Sequence, residues 1–141
     1  MKVLVDTNVV LDVLLERHPF YDDSVVIFQL SSLKRIRGYL SASSITDTFY
    51  LANRELKDSE RVHNMIEGLT VLFTIAPVSE TTIADALALR WKDFEDAVQF
   101  VAARENGAAY IITRNTQDFS SGSIEAVTPE QFIQAIADIE K

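Results

Sequence analysis

Four aspartates, Asp6, Asp47, Asp96 and Asp118, could bring carboxylates together from distant parts of the chain. Carboxylates within a few ångströms repel one another, and at neutral pH they must take up protons or share cations. Hard divalent ions such as Mg2+ or Mn2+ prefer oxygen ligands. Two such ions about 3.5–4 Å apart can activate a water and steady the leaving oxygen of a phosphodiester. Hydrolysis of RNA or DNA is therefore a natural use of the set. His18 and His63 stand alone, without a partner at ligand spacing, and there is no cysteine, so neither a histidine zinc site nor a thiolate site is expected.

Other chemistries fit less well. The chain has no G-x-x-x-x-G-K-[ST] or G-x-G-x-x-G phosphate loop and no G-x-S-x-G nucleophile elbow. An aspartyl-phosphate enzyme could use Asp6 as nucleophile, but the acid two residues later in haloacid-dehalogenase-like phosphatases is replaced by Asn8.

The elements that must position these acids alternate between β and helical patterns. Strands are expected at Val3–Val5, Gly38–Ser41, Leu72–Ile75, Tyr110–Thr113 and Ile124–Val127. Ile45, Phe49, Ala52 and Leu56 form one helical stripe, and Ile83, Ala86, Leu87 and Trp91 a second. Ala97, Val98, Val101 and Ala102 form a third, stopped by Asn106-Gly107. Thr128-Pro129-Glu130-Gln131 opens a last helix with a capping residue and Pro at the first helical position. Such alternation implies βαβ units, giving a three-layer α/β/α sandwich with a central, mainly parallel sheet. We expect residues 1–141 to form one domain.

In an open parallel sheet ligands bind beyond the carboxyl ends of the strands. Asp6 follows the first strand, and Arg114-Asn115-Thr116-Gln117-Asp118 follows the fourth. Asp47 lies about 200° round its helix from Ile45, with Tyr50 and Arg54 rather than in the core. Asp93 and Asp96 are three apart and share a helix face. Each acid also has an ordinary use. Asp6 could cap a helix beginning near Val9, Asp93 could cap the third stripe's helix, and Asp118 could form an Asx turn. Asp47 alone reads as a surface residue, and Asp12 as structural or as support for the site.

Composition bounds the rest. Apolar residues make up 48% and charged residues 24%, as in ordinary globular proteins. The opening MKVLVDTNVVLDVLLER is interrupted by polar residues and lacks a cleavage site, so we expect neither a signal peptide nor membrane association. The net charge of −8 disfavours broad attraction to nucleic acid unless cations reverse the sign locally. Basic residues group at Lys34, Arg35 and Arg37, and at Arg54, Lys57 and Arg61, each group also readable as a solvated surface. The apolar run Val25-Val26-Ile27-Phe28 offers surface for a partner.

Four segments together, VLVDTNVVLDVLLER, SASSITDTFYL, DFEDAVQFVAA and IITRNTQDF, resemble the PIN domain in its bacterial VapC-like branch. The resemblance implies a cytoplasmic Mg2+- or Mn2+-dependent endoribonuclease, often the toxin of a toxin–antitoxin pair and commonly a homodimer. Asp6 matches the family's first acid and Asp96 its third. Asp47 falls where the family usually has Glu. Asn115 falls where many relatives have the fourth acid, with Asp118 three residues on. Asp93 is then an additional metal ligand or a cap, and Thr7, Asn8 and Thr113 resemble positions that orient the acids. The two departures, at 47 and 115, leave a second expectation: a catalytically weak PIN-like module that binds RNA or a protein.

Overall fold

The structure, a computed structural model, describes residues 1–140. Five strands, β1 (Lys2–Val5), β2 (Arg37–Ser41), β3 (Thr74–Ala76), β4 (Tyr110–Ile112) and β5 (Glu125–Val127), form one parallel sheet in the order β3-β2-β1-β4-β5. Among the described residues seven α-helices connect and cover them: α1 (Thr7–Leu14), α2 (Tyr21–Ser32), α3 (Ala42–Leu56), α4 (Ser59–Leu72), α5 (Glu80–Leu89), α6 (Phe94–Glu105) and α7 (Pro129–Ile139). The expected architecture is present. No helix among the described residues is long and apolar enough to cross a membrane.

Strand alternation sorts the core into two layers. Val3, Val5, Leu40, Ile112 and Val127 face one side, where they meet Val9 and Val10 of α1, Ile27 and Leu30 of α2, Leu69 of α4 and Phe132 of α7. Leu4, Tyr39, Ala76 and Ile111 face the other, against Ala86 of α5 and the buried residues of α6. A central strand buried on both faces has to be apolar throughout, as VLV is. Leu4 is fully buried, so truncating it to alanine would cost about 2–5 kcal/mol. In the run Val25–Phe28, Ile27 is core and Val26 and Phe28 pack against it, so most of that apolar surface is used internally.

Local signals hold at several ends. Gly107 takes a left-handed φ of 70° after α6, and Thr128 and Gln131 cap α7 reciprocally. One end each of β1, β2, β4 and β5 lies a residue from expectation, and three boundaries differ by more. Helix α1 begins at Thr7 rather than near Val9. The apolar run VLFTIA is divided, with Leu72 ending α4 and the strand starting at Thr74. Arg90 caps α5 in the left-handed region (φ 57°), so Trp91 leaves the helix and Leu87 is left exposed.

The sheet order creates the crevice. From β1 the chain moves outward to β2 and β3, then returns to the other side of β1 for β4 and β5. The point where the order reverses, between β1 and β4, leaves a gap at the carboxyl edge of the sheet. Helices α1 and α3 start from that edge. Helix α6 leads back toward β4, so its N-terminus lies over the same edge.

Candidate active site

Asp6 and Thr113 continue the paired strands β1 and β4 by one residue each. The Asp6 N–H donates to the Ile112 carbonyl at 2.9 Å, and the Thr113 N–H to the Val127 carbonyl at 2.9 Å. Both share the parity of Leu4 and Ile111, so their side chains turn to the α6 face. There the Thr113 hydroxyl donates to Asp6 Oδ2 at 2.7 Å, and Gln99 Nε2 of α6 donates to Asp6 Oδ1 at 2.9 Å. Asp6 is the N-cap residue of α1, yet its side chain makes no cap bond to N2 or N3. Its oxygens are committed to β4 and α6 instead. Burial raises the Asp6 carboxyl above its usual range, against the opposing pull of Gln99, Thr113 and the Thr7 backbone, with Asp118's charge adding to the rise.

Helix α6 presents its first turns to the crevice. The Asp93 carboxylate accepts the Asp96 N–H at 3.1 Å, so Asp93 is the N-cap of α6, with one oxygen engaged there. The Asp96 carboxyl is pushed up to about 7, first by burial and then by the charges of Asp93, Asp6 and Asp118. The Glu95 carboxyl also rises to about 7, through lost solvation, its hydrogen bond with Asp47, and the charges of Asp47, Asp6 and Asp93. Asp47 is half-buried and turned to the α6 terminus, whereas Tyr50 is exposed. The Thr7 and Ser44 hydroxyls, 2.7 Å apart, join α1 to α3, and Asp47 follows Ser44 by three residues on the same helix face.

The fourth approach is the loop after β4. The Asn115 N–H donates to the Thr113 hydroxyl at 3.0 Å, and a 3-10 turn at Thr116–Phe119 carries Asp118. Asn115 and Asp118 are both exposed. Behind them Arg114 Nε lies 2.7 Å from an oxygen of Asp12, which is fully buried and 3.9 Å from Arg17 Nη1. Arg114 also stacks on Phe20, 4.2 Å from the ring centroid. Gly122 lets the loop lie on the core, since a Cβ there would stand 2.4 Å from Phe100 Cε1. Asn8 is half-buried in the first turn of α1, with no side-chain hydrogen bond among the described residues.

The structure thus brings Asp6, Asp96, Asp93 and Asp118 into electrostatic reach of one another and sets Asp47 beside them through Glu95. Asp93, Asp96 and Asp118 line an open hollow of about 950 Å3. Lys34, Arg35 and Arg37 lie at the amino edge of the sheet, around a separate hollow of about 540 Å3. Two site residues escaped the sequence reading. Gln99 carried a signal, a lone amide inside the apolar run of α6. Glu95 carried none beyond its place between two aspartates.

The donor set fits a hard divalent cation. It consists of carboxylate oxygens, and two of the carboxyls rise to about 7, first through burial and then through the charges of neighbouring acids, which a bound cation would offset. No three His, Asp or Glu side chains among the described residues form a metal-holding group as they stand. The acids border the crevice without closing on one point.

The protein is similar to ribonuclease VapC1 of Aquifex aeolicus, with 28% identity over 138 residues and 94% of each chain covered. Its fold is similar to VapC20 of Mycobacterium tuberculosis, described as a toxin that cleaves the sarcin–ricin loop (TM-score 0.69, 16% identity, 87% of this chain and 97% of that one). It is also similar to a chain of a toxin–antitoxin complex from Klebsiella pneumoniae (TM-score 0.66, 23% identity, 90% and 97%). Residues 2–117 match the PIN domain family model, and with the sheet and acids above this establishes that the chain belongs to the PIN domain family.

Proposed function

We propose that this chain is a divalent-metal-dependent endoribonuclease, a cytoplasmic hydrolase that acts as the toxin of a toxin–antitoxin pair. The observation that carries the reading is the placement of Asp6, Asp96 and Asp118 around the β1–β4 reversal, within electrostatic reach of one another, with Asp6 gripped on both oxygens. The 28% identical ribonuclease supports the substrate class. Asp6, Asp96 and Asp118 would hold Mg2+ or Mn2+, and Asp93 keeps one oxygen free to join them. The cation would supply activation of a water and neutralisation of charge on the phosphate. Gln99 and Thr113 orient Asp6 as a ligand. Thr7, through Ser44, sets the helix that brings Asp47, and the Asn115 backbone fixes the turn bearing Asp118. Residues 1–141 act as one PIN-like domain in this proposal, as a homodimer with a cognate antitoxin.

With Mn2+ the purified protein should cleave RNA, and Asp6→Asn or Asp96→Asn should abolish cleavage while the melting temperature shows a folded chain. Activity that survives EDTA, or persists in both variants, overturns the proposal. The hydrogen bond from Glu95 to Asp47 favours the second reading, a binding module of weak activity, because it occupies an acid already shorter than the Glu usual at that position in the family. Calorimetry separates the two: no divalent binding at millimolar concentration, with RNA or partner binding intact, selects the module.

A further inference from the structure

The acid-lined hollow has a second wall that hydrolysis does not use. Arg90, Trp91 and Lys92 succeed one another in the link between α5 and α6 and border the same hollow as Asp93, Asp96 and Asp118. Trp91 is half-buried. Its ring packs on Phe100 with centroids 5.0 Å apart and edge-on to Phe119 at 6.2 Å, while the rest of its surface lines the hollow. Arg90 and Lys92 are exposed, and among the described residues neither enters an ion pair, although acids lie close by.

An aromatic ring held rigid from behind loses little freedom when a base stacks on it, and stacking tolerates any base. Two unpaired cations on either side suit the flanking phosphates, which the neighbouring aspartates would otherwise repel. In a duplex the bases are already stacked on one another, so such a ledge serves a splayed or single strand. We propose that Arg90, Trp91 and Lys92 form a nucleotide ledge for single-stranded RNA beside the carboxylates, with a base on Trp91 and phosphates on Arg90 and Lys92. The inference rests on the ribonuclease reading for its choice of RNA, but its content is binding rather than hydrolysis.

Trp91 is the only tryptophan in the chain, so its emission reports the ledge directly. The full chain, held in EDTA at low salt, is titrated with an oligouridylate of about ten nucleotides and with an abasic strand of equal length. The oligouridylate should change the emission saturably, and the abasic strand should bind on the order of tenfold more weakly with little change. The double variant Arg90→Gln, Lys92→Gln alters exposed side chains only. It should flatten the plot of log affinity against log salt by about 1.4. In Mn2+ turnover, Trp91→Leu should raise KM about tenfold with kcat within about twofold. Because that variant also loses packing on Phe100, the Arg90/Lys92 pair stands as the independent test. Unchanged emission when anisotropy shows bound RNA, absence of binding, or an unchanged salt slope overturns the ledge. A responsive Trp91 in a protein that cleaves nothing with Mn2+ would instead overturn the ribonuclease reading and leave the ledge standing.

Discussion

Replacing Gln99 with leucine separates the orientation of Asp6 from the stability of the fold. Gln99 is 1% exposed, its Nε2 donates to Asp6 Oδ1 at 2.9 Å, and its Oε1 is buried without a partner. Losing a hydrogen bond to a charged group costs about 1.5–3 kcal/mol, while removing a buried unsatisfied acceptor returns about 1–3 kcal/mol. Leucine is of similar length and apolar, so the two contributions nearly cancel. The melting temperature should move by less than about 4 °C. Metal affinity should not be spared, since loss of a partner that orients a ligand typically weakens binding on the order of 10–100-fold. Thr113→Val is the control: it removes the bond to Asp6 Oδ2 and the acceptor of the Asn115 N–H, with no orphan relieved. It should lower stability by about 2–4 kcal/mol as well as weaken the metal. Differential scanning calorimetry and Mn2+ titration calorimetry on both variants give the two quantities. If Gln99→Leu melts as low as Thr113→Val and binds Mn2+ like the parent, Gln99 is a packing residue and the reasoning fails.

Two other predictions follow from the same geometry. Asp12→Ala strips the fully buried partner from Arg114 and should lower the unfolding free energy by about 3 kcal/mol in urea titration, and it should raise proteolysis at residues 114–118; an unchanged midpoint would show that the ion pair is replaceable by solvent. Asp96 and Glu95 titrate near 7 in the folded protein, above their ordinary values of 3.8 and 4.5, so between about pH 4 and 7 the folded state binds more protons than the unfolded. Their contribution to the metal-free protein's stability must therefore fall as pH rises through that window. Mn2+ should raise the melting temperature more at pH 8 than at pH 5.5, and equal increments would contradict the assignment.

The sequence by itself determined the element types and several of their ends. Alternation of branched apolar residues, the Thr128–Gln131 capping pair and Asn106-Gly107 act over a few residues, so their consequences are local and legible. It also placed Asp6 and the Thr113–Asp118 segment at strand ends. Only the tertiary structure decided which ends meet. β1 pairs with β4, far along the chain, and this puts Thr113 and Gln99 on Asp6 across 107 and 93 residues. The contact of Glu95 with Asp47 likewise depends on how α3 and α6 lean on one edge. Trp91 continues a helical stripe in the sequence, yet the left-handed turn at Arg90 throws it onto Phe100 and beside the acids. Periodicity reports which face of an element is apolar. It carries no record of which other face that element will meet, because the partner is chosen by burial of the whole core.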